Sequence, residues 1–244
     1  MTKQRLDIEL TARGLTSSRS QAESWVKLGK VTVNGKTVTK PGHFVPVDAE
    51  IKLNAKEQYV SRAGLKLASV AEMLHLDFEG KTVLDVGSST GGFTDYALRR
   101  GAKKVYAVDV GTDQLHPSLR ANPLVELHEK TDIRDFYLED DKPGIIVMDV
   151  SFISLREILP HLAKNLSGPN TLIAAMLKPQ FEAQRGQLGS SGVIKNDTVR
   201  RQILKDFEAW VRPHFMIVDK ADSDVHGARG NKERFYLLKP VVKK

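Results

Sequence analysis

Over the first fifty positions the apolar residues recur at helical spacing and then at strand spacing. Leu6 and Leu10 share one face of Arg5–Leu10, and Gly14 supplies a helix stop. A second helix opens around Ser17, Ser18 or Ser20. Ser20 and Glu23 have capping-box spacing, and Ala22, Trp25, Val26 and Leu28 carry the apolar face on to Gly29. Val31-Thr32-Val33 then alternates as a strand does. Asn34-Gly35 is a strong hairpin-turn signal, Lys36–Thr39 returns, and a short strand near Ile51–Leu53 follows Pro41-Gly42.

Residues 54–64 read as a linker leading into a helix over Leu65–Leu74. From Thr82 onward apolar strands and amphipathic helices alternate. The pattern predicts strands at 82–86, 104–109, 124–128, 145–149, 171–177, 214–220 and 234–239, and helices at 92–100, 154–165 and 197–211. That alternation implies an α/β domain, with a parallel or mixed sheet covered by helices on both faces. Residues 182–193 are polar and glycine-rich and read as a mobile loop.

Composition narrows the picture. The chain has 244 residues, enough for one or two domains, and 41% are hydrophobic. It has no cysteine, which excludes disulfides, cysteine-ligated metals and a cysteine nucleophile. No apolar run approaches the roughly 18 residues of a membrane span, and the charged N-terminus does not resemble a secretory signal, so the expectation is a cytoplasmic protein. The net charge is +7, and residues 1–60 hold 10 Lys and Arg against 6 Asp and Glu. More than half of the positive excess thus sits in a quarter of the chain, where it would attract phosphate backbones.

The stretch Thr82-Val83-Leu84-Asp85-Val86-Gly87-Ser88-Ser89-Thr90-Gly91-Gly92-Phe93-Thr94 runs from a strand through a glycine-rich turn into a helix. Such a turn lets a ligand approach the backbone and presents N–H groups at a helix start. Its Gly-x-x-x-Gly-Gly spacing differs from the Gly-x-Gly-x-x-Gly of dinucleotide binders and disfavours a nicotinamide dehydrogenase. Asp85, just before the first glycine, suits a ligand bearing a cationic amino group. Asp109 at the end of the next strand can accept ribose hydroxyls, and Asp132 after the third can meet an adenine amine. Together these point to a nucleoside cofactor.

Asp149 ends the fourth strand and Lys178 the fifth, Glu233 precedes the last, and Lys66 lies in the helix entering the domain. Two lysines and two acids suit methyl transfer to a hydroxyl. A desolvated lysine can remove or steer the proton, and carboxylates hold the lysines in place. Carbon-5 pyrimidine methylation needs a cysteine. Exocyclic-amine methylation usually uses an Asp/Asn-Pro-Pro-aromatic loop, where this chain has Asp149-Val150-Ser151-Phe152. Ribose oxygen remains.

These segments resemble the TlyA family of ribosomal RNA 2'-O-methyltransferases, also labelled hemolysin A-like, over nearly the whole chain. Arg5-Leu6-Asp7, Ser17–Ala22 and Gly29–Gly35 look like the RNA-binding fold named after ribosomal protein S4. Tyr59–Leu67, Asp85–Asp95, Asp149–Ser154 and Lys178–Glu182 look like the family's catalytic signatures. Ser88 stands where alanine is common and adds a hydroxyl. The resemblance implies a small α+β RNA-binding domain at 1–58, a linker at 59–66 and an FtsJ-like domain at 67–244. The last would be a Rossmann-like methyltransferase with a mostly parallel seven-stranded sheet.

The family's Lys-Asp-Lys-Glu tetrad falls on Lys66, Asp149, Lys178 and Glu233. The implied cofactor is S-adenosylmethionine, held around Asp85, Gly87, Ser88, Gly91, Gly92, Phe93, Asp109 and Asp132, and no metal is expected. Arg5, Arg13, Arg19, Lys27 and Lys30, with Arg62 in the linker, are candidate phosphate contacts. The implied activity is cytidine 2'-O-methylation. The implied partners are ribosomal RNA or ribosomal subunits, with no membrane and no obligate protein partner. The alternatives are a non-catalytic RNA-binding or ribosome-assembly factor and, on the family's other label, a membrane-active hemolysin.

Overall fold

The alternation from Thr82 onward produces one seven-stranded sheet, and the shorter N-terminal pattern produces a separate small unit. A computed structural model describes residues 3–16, 18–27, 29–54, 59–138, 142–184, 187–188, 192–194, 196–227 and 230–241. Ser17, Leu28 and much of 182–193 therefore lie outside the described residues. The chain divides into compact units at 1–62 and 63–244. Among the described residues, no helix is long and apolar enough to cross a membrane.

The first unit contains β1 (Lys3–Arg5), α1 (Leu6–Ala12), α2 (Arg19–Lys27), β2 (Val31–Val33), β3 (Lys36–Thr37), β4 (Phe44–Pro46) and β5 (Ile51–Leu53). Leu6, Leu10, Ala22, Trp25 and Val26 are buried, as the helical spacing requires. The helix α2 starts at Arg19, and the Ser18 hydroxyl accepts from the Gln21 N–H. Ser18 is thus the cap, and Ser20 already lies inside the first turn. Asn34 and Gly35 take positive φ and turn β2 into β3, with β5 on the other side of β2. The antiparallel pair β1–β4 has no counterpart in the sequence reading, because three-residue strands carry too little alternation to register.

The second unit follows with α3 (Arg62–Ala71), whose first turn carries the boundary, so that residues 62–66 are helical where a linker was expected. Then come β6 (Thr82–Val86), α4 (Gly92–Arg99), β7 (Lys104–Val108), α5 (Pro117–Arg120) and β8 (Val125–His128). They are followed by β9 (Ile145–Met148), α6 (Leu155–His161), β10 (Leu172–Leu177), α7 (Pro179–Glu182), α8 (Asp197–Val211), β11 (Phe215–Asp222) and β12 (Arg234–Pro240). The expected helix at 154–165 is α-helical only to His161. With Pro160 inside it, it widens into a π-type turn over Leu162–Leu166.

The strand order is β11-β12-β10-β9-β6-β7-β8. Pairs β10–β9, β9–β6, β6–β7 and β7–β8 are parallel, and β12 runs antiparallel to both neighbours. From β6 the chain builds outward through β7 and β8, and then returns to the other side of β6 with β9 and β10. That reversal opens a crevice at the carboxyl ends of β6 and β9, where ligands of open α/β sheets bind. On one face of the sheet Leu84, Val86, Ile146, Met148, Ile173, Ala175 and Leu177 form a core with Leu155, Ile158 and Leu159 of α6 and Leu204, Phe207 and Val211 of α8. On the opposite face Phe93 of α4 packs on Phe235 of β12, with ring centroids 5.9 Å apart.

Candidate active site

A cavity of about 470 Å³ occupies that crevice. Its wall includes Val86 at the end of β6 with Gly87 and Ser89 beyond it, Asp109, Val110, Gly111 and Gln114 after β7, and Asp132 and Ile133 after β8. Asp149, Val150, Ser151, Phe152 and Ile153 follow from β9, and Ile158 comes from α6. Gly87 has φ 78°, and a Cβ there would meet the Asp149 carbonyl oxygen at 3.0 Å. Only glycine fits so close to the β9 loop with that backbone. Asp109 Oδ2 accepts from the Ser89 N–H at 2.8 Å, and Oδ1 accepts from the Gly111 N–H at 2.7 Å. Two backbone donors thus fix the carboxylate at the rim. Asp132 accepts from Nε and Nη2 of Arg134 and caps the turn after β8, and that partner lowers its carboxyl from the ordinary value.

Of the residues expected around a cofactor, the cavity brings together Gly87, Asp109 and Asp132, and leaves Asp85, Ser88, Gly91, Gly92 and Phe93 out of its wall. Asp85 lies outside that wall. Strand residues alternate faces, so Leu84 and Val86 look towards the cavity side and Asp85 towards α4. There the Thr94 hydroxyl donates to Oδ2 at 2.6 Å, while Oδ1 has no hydrogen-bond donor among the described residues. Burial pushes this carboxyl up to about 7, against the lowering effect of Thr94 and with a further push from the nearby Asp149 charge. Gly91 has φ 93°, and a Cβ would collide with Leu115 and Leu119, so this glycine serves the packing of α4. Phe93 belongs to the core, and the Ser88 hydroxyl is buried with no hydrogen-bond partner among the described residues.

The four tetrad positions form two ion pairs. Lys178 Nζ lies 2.6 Å from Asp149 Oδ1 and donates to Ser151 Oγ at 2.6 Å. Lys66 Nζ lies 2.6 Å from Glu233 Oε2. Each lysine therefore sits against a carboxylate. Both contacts are close ion pairs outside hydrogen-bond geometry, so neither carboxylate oxygen has an aligned donor among the described residues. The sheet register brings the pairs to one end. Leu177 faces Arg234 across β10–β12, and Ala175 faces Met148 across β10–β9. The residues just beyond, Lys178, Glu233 and Asp149, consequently leave the sheet side by side.

The loops carrying Asp149 and Lys178 are tied together from below by Glu182. Its buried carboxylate accepts from the Ser154 hydroxyl at 2.7 Å and from the Leu155 N–H at 2.6 Å, and Arg156 lies nearby. Desolvation raises this carboxyl despite those donors. Above, Phe152 is 91% exposed at φ 67°, with its ring centroid 5.2 Å from that of Phe181. Sequence reasoning missed Phe152, Val110, Gly111 and Gln114. The glycine two residues after Asp109 was a usable signal of a second close turn, but nothing in the sequence marks Phe152 as exposed.

In the N-terminal unit Arg13 donates to Glu9 and to the carbonyls of Ala49 and Val47, which makes it an internal fastener. Arg5 and Arg19 both donate to the buried Asp7 carboxylate. Lys27 and Lys30 are exposed, and Arg62 is half-buried.

A reversed parallel sheet with an antiparallel β12, a glycine turn beneath a cavity and an acid at each neighbouring strand end define a Rossmann-like methyltransferase fold. The FtsJ-like methyltransferase family model matches residues 59–239, and the S4 domain model matches residues 4–51. Hemolysin A of Brachyspira hyodysenteriae is 40% identical over 98% of this chain and 100% of its own length. The 16S/23S rRNA (cytidine-2'-O)-methyltransferase TlyA of Mycobacterium tuberculosis is 36% identical over 96% of this chain and 89% of its own. A solved structure of a hemolysin-named protein from Streptococcus thermophilus is 38% identical, covers 99% of this chain and 90% of that one, and superposes with a TM-score of 0.74. The chain belongs to the FtsJ-like methyltransferase family, in the branch that holds TlyA and hemolysin A, and carries an S4 domain before its catalytic fold.

Proposed function

We propose that this chain transfers a methyl group from S-adenosylmethionine to the 2'-hydroxyl of a cytidine in ribosomal RNA, with its S4 domain holding the RNA. The observation that carries this reading is the shared wall. Asp149 and Ser151 line the cavity, and both hold Lys178. The name and activity of the TlyA relative point the same way.

The cavity fits an adenosyl ligand. Its size is in the range of cofactor sites, Val110, Ile133 and Ile158 supply apolar walls for a purine, and Asp109 is fixed where ribose hydroxyls could donate to it. Gly87 leaves the backbone open, and Asp132 lies at the purine end. Asp85, Ser88, Gly91, Gly92 and Phe93 act on the ligand indirectly, by shaping the turn and seating α4. When bound, the cofactor supplies a methyl group on a sulfonium centre.

Lys178, braced by Asp149 and Ser151, orients the acceptor hydroxyl and receives or steers its proton. Lys66 and Glu233, paired out of solvent, act as positioning residues by fixing α3 against the start of β12. The exposed Phe152 ring over the cavity offers a surface on which a base can stack. Arg5, Arg19, Lys27, Lys30 and Arg62 contact phosphates, and Arg13 supports them by bracing the fold.

Labelled methyl transfer to ribosomal subunits, followed by alkaline hydrolysis, tests the proposal. A 2'-O-methyl group blocks cleavage of its own phosphodiester, so label is expected in an alkali-stable dinucleotide. Label found only in mononucleotides would place the methyl on a base and overturn the assignment. Cofactor binding without transfer to any subunit would favour a non-catalytic assembly factor.

A further inference from the structure

The N-terminal unit presents an exposed aromatic ring beside basic side chains. Strands β1 and β4 pair antiparallel, with Lys3 opposite Pro46, Gln4 opposite Val45 and Arg5 opposite Phe44. Side chains alternate across a strand, so Lys3, Arg5, Phe44 and Pro46 share one face, and Val45 points to the other. Val45 is fully buried, whereas Phe44 is 59% exposed and the next apolar residue, Val47, is exposed as well. The ribbon therefore closes the module with one face and leaves the other to solvent.

The charges around that outer face are mostly positive. Lys3 is exposed. Arg5, opposite Phe44, lies over Gly42 and reaches the Asp7 carboxylate, which also receives Arg19. Asp7 is buried, and Glu23 pairs with Arg19 and Lys27. Lys3, Arg5 and Arg19 thus outnumber Asp7 and Glu23, the acids they meet. A ring needed only for packing would be turned inwards, and a purely apolar partner would gain nothing from flanking cations. A phenyl face bordered by cations suits an unpaired nucleotide: the base stacks on the ring while its phosphates meet the charges.

We propose that the Phe44 face is a stacking site for a single-stranded or bulged nucleotide of the RNA, with Lys3, Arg5 and Arg19 at the flanking phosphates. The inference rests on the reading of the N-terminal unit as the RNA-holding domain, and adds to it that recognition there includes an unpaired base.

The test is equilibrium binding of the full chain, without cofactor, to a short unstructured RNA oligonucleotide and to a blunt RNA duplex. Phe44→Ala is expected to weaken the unstructured RNA about tenfold and the duplex less than about twofold. Phe44→Trp should restore binding, and Phe44→Leu should not. Because Phe44 is exposed, the melting temperature of each variant should match the parent, which separates lost contact from lost fold. Unchanged affinity in Phe44→Ala, or full affinity in Phe44→Leu, overturns the stacking site. If Phe44→Ala leaves RNA affinity intact but turns a self-associating parent into a monomer in sedimentation, the face joins copies of the chain and the proposal falls. A parent that binds neither RNA defeats the RNA-holding reading itself, whereas a parent that binds with Phe44 irrelevant defeats only this inference.

Discussion

Lys66 meets Glu233 with 7% and 2% of the two side chains exposed, whereas Lys178 meets Asp149 with 10% and 14% exposed, on the wall of the cavity and beside Ser151. The separation is the same 2.6 Å in both pairs. What differs is the surroundings. Gly227 lies so close to Glu233 that a Cβ would come within 2.7 Å of Oε1, and the chain on either side of Glu233 is clamped by Asp222, which accepts from Arg200 and Arg234. The Lys178 pair borders the cavity through Asp149 and Ser151. One pair therefore joins α3 to the start of β12, and the other borders the cavity. A short contact alone does not identify a catalytic group; its access does.

The largest effect expected from this contrast is at the open pair. Lys178→Ala should lower methyl transfer on the order of a thousandfold, while calorimetry finds the cofactor bound within about threefold of the parent. Full activity in that variant removes Lys178 from the chemistry. At the sealed pair, Lys66→Met alone should cost about 3 kcal/mol of stability in urea unfolding, because Glu233 is left charged and buried. Adding Glu233→Leu should recover most of that loss without recovering transfer. If the double replacement restores transfer too, the sealed pair is architecture only.

A smaller effect concerns pH, through Asp85. Its folded-state carboxyl is held at about 7, against an ordinary 3.8, so the folded chain binds this proton more tightly than the unfolded chain. Its contribution to stability is complete below 3.8 and is lost as the pH rises towards about 7. Asp85→Asn should flatten that component, so the parent should lose more unfolding free energy than the variant between about pH 5 and about pH 8. Parallel profiles for the two proteins would show that Asp85 is ionised throughout.

The elements that could be read from the sequence are those whose pattern is repeated often enough to be decisive. The 15-residue α8 and the buried runs of β6, β9 and β10 announce themselves through many positions each. The strands β1 and β4 and the four-residue helices α5 and α7 do not, since one turn or one pleat leaves no period to detect, whereas the still shorter β3 was read from the Asn34-Gly35 turn before it. At the site, the acids and lysines at strand ends were visible because strand termini follow from the pattern. The direction of Asp85 depends on which face of β6 meets the crevice, and that is set by the packing of α4 and α6. Phe44 and Phe152 read as ordinary apolar residues in the sequence, and only the folded surface shows that both rings face outwards.

The antiparallel β12 has a consequence for biosynthesis. It occupies an interior lane of the sheet, between β11 and β10, yet residues 234–240 are translated after every other strand. Until they and the preceding Glu233 emerge, β10 lacks its β12 neighbour and Lys66 lacks its counter-ion. Among the described strands, the interior of the sheet is thus closed last by the lane that also carries one half of a buried ion pair, so completion of the sheet and burial of Lys66 against Glu233 coincide.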